Sequence, residues 1–399
     1  MFSKKKTSSL LLAGLALSLA CNTVETLISG ATGNDRVPRM AEGVISAGWA
    51  HACALTGTGK VRCWGYNEFG QVGDGTTENR NAPVEVAGLP EGITAVSAGF
   101  THSCALTAAG GVKCWGNNEF GQLGNGTVEK DSPVPVDAQG LGSGVKAISA
   151  SASFTCALLA DGSMKCWGAN TNGQLGNGGH GEAIIPVTVK GLTEEVTAMA
   201  TSKAGHVCAI LKSGGLMCWG WNESGQLGNG STKESTLPSP VKGVSDVAVV
   251  ALGYVHTCVL ERDGEAFCWG EGESGQLDDP AMKNSYIPVA VSGLPENPIQ
   301  MAAGGSHTCV LTDLGEISCW GANDWGQLGN GEITRQDLLS PVAMAGGKAV
   351  SISAGGFFTC ALMEGDTVFC WGGNDSGQLG DGTMENRNTP VSVLNLPAE

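Results

Sequence analysis

"HACALTGTGKVRCWG", residues 51–65, holds two cysteines ten residues apart and ends in Cys-Trp-Gly. The same unit occurs seven times with the same cysteine separation. Cys53 is followed by Cys63, Cys104 by Cys114, Cys156 by Cys166, Cys208 by Cys218, Cys258 by Cys268, Cys309 by Cys319 and Cys360 by Cys370. Successive units begin 50 to 52 residues apart. A fixed period of that size signals an array of supersecondary units, each too small to bury its apolar side alone.

Setting Cys53 opposite Cys63 in an antiparallel hairpin puts Leu55 against Val61 and leaves Gly57-Thr58-Gly59 as the turn, where glycine supplies positive φ. Cys53, Leu55, Val61 and Cys63 then share one face, while Ala54 and Trp64 point to the other. Opposed residues of a non-hydrogen-bonded pair sit about 4.5 Å apart at Cα, within disulfide reach. The constant spacing therefore predicts one cross-strand disulfide per unit, seven in all. Zinc is the weaker reading, since its ligands usually come about two to four residues apart and each cysteine here has its own partner.

Both hairpin faces are apolar, so a neighbour must cover each. An alternating segment precedes the hairpin, as in "ITAVSAG" (93–99) or "VKAISAS" (145–151). A glycine-rich turn such as "NEFGQLGNG" (118–126) follows, then a strand led by proline, "PVEV" (83–86) or "PVSV" (390–393). That makes four short strands per repeat with no sustained helical period. Seven four-stranded antiparallel sheets packed radially form an all-β, seven-bladed β-propeller, expected over residues 44–396. Because "VPRMA" (37–41) is a poor proline-led strand, the last strand is expected to pair with the first repeat and lock the ring.

At 399 residues, 42% hydrophobic and 15% charged, the chain can bury a large core. Its net charge is −16, and three of its 22 positive residues are Lys4, Lys5 and Lys6. Binding to phosphate backbones needs clustered Lys and Arg, so nucleic acid and anionic membrane surfaces are excluded as partners. Residues 1–21, "MFSKKKTSSLLLAGLALSLAC", read as an export signal: basic residues, an apolar run, then small residues. Cys21 is the odd cysteine of fifteen. It stands where a bacterial lipoprotein signal is cut and lipidated, although Ser18 takes the usual leucine position. The expectation is a lipid-anchored protein on a tether of residues 22–43, at the outer membrane or cell surface; a freely secreted protein is the alternative. Contact with the membrane would come only through the lipid.

Other motifs have bland readings. "GEGESG" (270–275) fits a dinucleotide fingerprint, but no helix pattern follows it. His51, His102, His206, His256 and His307 share one repeat position, which Phe154 and Phe358 fill in units three and seven. That exchange favours packing and a local hydrogen bond over a metal ring. Asp74 and Asp381 head Asp-Gly turns whose single carboxylate falls far short of a calcium shell. No nucleophile, base and orienting group assemble, so neither enzyme activity nor a metal or cofactor is expected.

The stretch "AGFTHSCALTAAGGVKCWGNNEFGQLGNG" (98–126) resembles the repeat of the regulator of chromosome condensation family. The shared features are Ala-Gly, the histidine before the strand, Ala-Leu, Trp-Gly, Asn and Gly-Gln-Leu-Gly. Kelch repeats have a similar length but carry a double glycine absent here. The resemblance implies a seven-bladed propeller. It leaves function open, because the family's roles run from nucleotide exchange on a nuclear GTPase to ultraviolet sensing and secreted β-lactamase inhibition. Export argues against the GTPase role.

Repeats can be compared with one another. Four residues before the first cysteine stand Trp49, Phe100, Ala152, Ala204, Tyr254, Gly305 and Gly356. A position this variable is free to serve a partner, and Trp49, Phe100 and Tyr254 are the candidate binding residues. In the plant photoreceptor of the family this position carries tryptophans, which Trp49 matches once. The loops "TTENRNA" (76–82), "GHGEAII" (179–185) and "PAMKNSYI" (280–287) also vary. The expected function is that of a monomeric binding module for a protein or glycan partner. Inhibition of an extracellular or periplasmic enzyme and a structural scaffold are the alternatives.

Overall fold

A computed structural model describes residues 45–396 apart from 129, 280, 282, 345 and 346. The expected signal, Cys21 and the tether lie outside the described residues. The first sheet runs Ile45–Ala47, His51–Leu55, Val61–Gly65 and Arg80–Glu85, in that spatial order. Six more four-stranded sheets repeat this pattern to Arg387–Ser392. The first strand of each sheet faces the first strands of its neighbours, and the fourth forms the outer edge. This is the seven-bladed propeller.

Within each blade the register matches the cysteine argument. Cys53 pairs with Cys63 and Leu55 with Val61, and the two sulfurs are bonded. In the next three blades Cys104 is bonded to Cys114, Cys156 to Cys166 and Cys208 to Cys218. In the last three Cys258 is bonded to Cys268, Cys309 to Cys319 and Cys360 to Cys370. The turn takes in Thr56 as well as the expected Gly-Thr-Gly. Gly59 donates to the Thr56 carbonyl at 2.8 Å, with Gly59 at φ 77° where a Cβ would be strained.

Two expectations need correcting. The outer strand is not led by its proline: Arg80–Glu85 places Pro83 fourth. The ladder skips between Cys63 and Gly65, and a proline without an N–H is tolerated at such a bulge on an edge strand. The ring is also not locked by strand exchange. Arg387–Ser392 pairs with Val368–Gly372 in its own sheet, because Ile45–Ala47 already gives the first blade its inner strand. Closure comes from contacts between complete blades. Gly356 N donates to Trp49 O at 3.0 Å, Ala47 N to Ser353 Oγ at 2.9 Å, and Asn81 Nδ2 to Gly382 O at 2.8 Å.

The disulfides tie no blade to another, so cohesion of the ring rests on the seams. At each seam a tryptophan turns toward the preceding blade and donates its indole N–H to a glutamine carbonyl there. Trp115 bonds Gln71 O and Trp167 bonds Gln122 O, both at 2.9 Å, and across the closing seam Trp64 bonds Gln378 O at 2.9 Å. These seven indoles are fully buried. At about 25 cal/mol per Å² over roughly 200 Å², each contributes on the order of 5 kcal/mol of gross burial.

Candidate binding face

The connection from inner strand to hairpin crosses one end of the propeller, and backbone hydrogen bonds to the next blade hold it. Trp49 N donates to Gly99 O at 3.0 Å, Phe100 N to Ser151 O at 2.8 Å, and Tyr254 N to Gly304 O at 3.1 Å. From this frame the side chains converge on the mouth of the ring. Trp49 stacks on Phe100 with centroids 4.8 Å apart, meets Tyr254 of the fifth blade at 5.2 Å, and meets Phe357 of the seventh edge-on at 5.0 Å. Trp221 adds an edge contact to Tyr254, and Trp325 a tilted one to Phe357.

The rings meet because the other repeats offer small residues at the same register. A Cβ on Gly356 would sit 2.8 Å from Trp49 Cδ2, and one on Gly305 would sit 2.4 Å from Gly356 O. The three large side chains therefore occupy space that Ala152, Ala204, Gly305 and Gly356 vacate. Trp49, Phe100, Tyr254 and Trp221 are half-buried, while Phe357 and Trp325 are each 38% exposed. Sequence comparison at one register found Trp49, Phe100 and Tyr254 but missed Phe357, Trp221 and Trp325. These stand at other registers, where the sign was again variation between repeats: Trp325 matches Phe69 and Phe120.

A second ring of loops adjoins the first. After each Cys-Trp-Gly the next backbone N–H donates to the connection before its own hairpin, as in Tyr66 N to Ala50 O at 2.8 Å and Trp221 N to Gly205 O at 2.9 Å. The variable loops that lead into the outer strands reach this same end, since Arg80 pairs with Gly65.

The histidines are seam residues. His102 Nε2 lies 2.8 Å from Thr155 Oγ1, and that hydroxyl lies 2.9 Å from Gln122 O. A carbonyl only accepts, so the hydroxyl donates to it and the imidazole donates Nε2–H to the hydroxyl. His51, His206, His256 and His307 repeat the arrangement with Ser103, Thr257, Thr308 and Thr359. Where phenylalanine replaces histidine the hydroxyl is gone too: Phe154 packs with Val207, and Phe358 with Ala52. Burial pushes each imidazole down to about 3, so the rings are neutral. Near His51 and His102, Lys203 donates its ammonium to Ala98 O at 2.7 Å, with its pKa lowered to about 8 by loss of hydration. Asp74 and Asp381 are turn residues that also pair with Arg80 and Arg387. "GEGESG" is a turn as well, closed by Gly275 N to Gly272 O. At the opposite end, a polar cavity of about 300 Å³ is lined by Lys146, Asp161, Glu195 and Lys212.

The RCC1-like domain matches residues 32–297, and the regulator of chromosome condensation (RCC1) repeat matches 299–327 and 349–378. The chain is 33% identical to the ultraviolet-B receptor UVR8 of Arabidopsis thaliana, over 89% of this chain and 82% of that protein. It is 30% identical to the mitochondrial RCC1 domain-containing protein RUG3 of the same plant, over 89% and 71%. Among solved structures, human WBSCR16 superposes with TM-score 0.73 at 27% identity, covering 80% of this chain and 86% of that one. Prp20p of Saccharomyces cerevisiae gives 0.75 at 20% identity, over 90% and 88%, a likeness of fold alone. With matched models and relatives spanning nearly the whole propeller, the chain belongs to the RCC1-like family.

Proposed function

We propose that this protein is an exported, surface-anchored binding module whose aromatic face docks a protein partner. The observation that carries the reading is the cluster of Trp49, Phe100 and Tyr254 with Phe357 and Trp325, part of it open to solvent at the mouth of a rigid ring. Rigid, partly exposed aromatics are the usual energetic anchors of protein recognition. Seven buried disulfides suit an oxidising compartment, and the first 21 residues suit export. Photoreception, named for one relative, finds less support. Trp49, Trp221 and Trp325 pack on phenylalanine or tyrosine rather than on one another.

The test is capture from the organism's envelope fraction with residues 44–396 as bait, in parallel with the double variant Trp49→Ala/Phe100→Ala. A partner retained by the wild type and lost by the variant supports the reading, provided the variant melts within a few degrees of the wild type. A single enzyme recovered would specify inhibition, and a glycan would replace the protein partner. If the variant unfolds early while its folded fraction binds normally, the rings belong to the core.

A further inference from the structure

The loop after each Cys-Trp-Gly carries an acidic residue at one register in six of seven blades: Glu68, Glu119, Glu223, Glu273, Asp324 and Asp375, with Thr171 in the third. All seven side chains are exposed. The hydrogen bonds that tie each loop to the connection before its hairpin set these carboxylates around the aromatic cluster. Trp325, next to Asp324, touches Phe357, and Tyr66 donates to Glu68 at 2.8 Å.

Elsewhere some of the carboxylates are paired with cations. At the opposite end Lys60 meets Glu85, Lys212 meets Glu195 and Arg262 meets Asp246. On the rim of the aromatic face Arg80 and Arg387 are held by Asp74 and Asp381. None of the six ring carboxylates makes an ion pair among the described residues. Arg335 donates its guanidinium to the Glu273 carbonyl. Glu271, half-buried beneath the ring, has its pKa raised by burial and then by Glu273.

We propose that the aromatic face docks a positively charged polypeptide, its apolar side chains seated on the Trp49 cluster and its Lys or Arg side chains on the six-carboxylate ring. This rests on reading the aromatic face as the docking surface. Interspersed rim charge would serve any partner, whereas a one-sign ring around an apolar centre excludes acidic partners and speeds encounter with basic ones.

The test is fluorescence anisotropy with a labelled short peptide alternating arginine and leucine, and a glutamate–leucine peptide as control. The protein is compared in three forms of equal thermal stability: wild type, Glu68→Gln/Glu119→Gln/Glu223→Gln/Glu273→Gln, and Glu91→Gln/Glu194→Gln/Glu296→Gln/Glu316→Gln, which removes the same charge from the opposite end. The expected result is binding of the arginine peptide alone, weakened about tenfold or more by the first set and about twofold or less by the second. Equal weakening by both sets, or binding of the glutamate peptide, overturns the proposal. If envelope capture depends on Trp49 and Phe100 while the ring variant binds as wild type does, docking stands and the cationic partner falls.

Discussion

The Nε2 atom of His102 and the Oγ1 of Thr155 face each other at 2.8 Å across a seam, with both side chains fully buried. Thr155→Val removes the acceptor and strands a buried N–H, which costs about 1–3 kcal/mol. Adding His102→Phe recreates the pairing that Phe154 and Val207 already make, so the double variant recovers part of the loss. A urea double-mutant cycle measures the coupling. Additive losses would mean that the seam does not pair these residues.

The same histidines set a pH dependence. Their folded pKa values, near 3, lie below the unfolded value of 6.5, so below pH 6.5 the unfolded chain binds more protons. Stability should be level from pH 7 to 8 with respect to these groups and fall as pH drops from 6.5 toward 3. Each histidine adds up to about 1.4 kcal/mol per pH unit. His102→Phe/Thr155→Val should show a shallower acid slope in thermal melts. An unchanged slope would place the acid sensitivity elsewhere.

Each disulfide closes a short loop within one hairpin. Replacing Cys104 and Cys114 together with alanine should cost roughly 2–3 kcal/mol in the chain-entropy account and leave the blade order intact. Peptide mapping without reductant should recover only links within hairpins, such as Cys156 to Cys166 and Cys309 to Cys319. Any link between blades would contradict the register.

Gly356 lies against the face of Trp49. Gly356→Ala should displace that ring, shift tryptophan emission and destabilise by about 1–3 kcal/mol. Unchanged emission and stability would show that Trp49 is not seated there.

Intact-mass analysis of the mature N-terminus checks the anchor. A diacylglyceryl Cys21 in the membrane fraction is expected. An unmodified N-terminus in the medium would assign free secretion.

Much of this was legible because repetition makes one chain its own comparison. The Cys53–Cys63 spacing led to the hairpin register and the disulfides, and its sevenfold repetition with the flanking segments led to the sheet count. The seam pairing was also readable: the residue after the histidine position is Ser or Thr in each unit that follows a histidine, and Val207 or Ala52 where Phe154 or Phe358 comes before. Closure was not readable, because it turned on whether three residues, Ile45–Ala47, supply an inner strand. The full aromatic cluster was hidden for another reason. Trp49 meets Tyr254 and Phe357 only after the ring has brought distant blades together, and Phe357, Trp221 and Trp325 occupy registers of their own.

Amide hydrogen exchange of the propeller, with and without the captured partner, tests the docking face without altering a residue. Added protection should be confined to the connections around residues 48–50, 99–101 and 254–256 and the loops around 66–70, 117–121 and 271–275. Protection centred instead on the hairpin turns at the other end, such as residues 56–60 and 262–265, would contradict it.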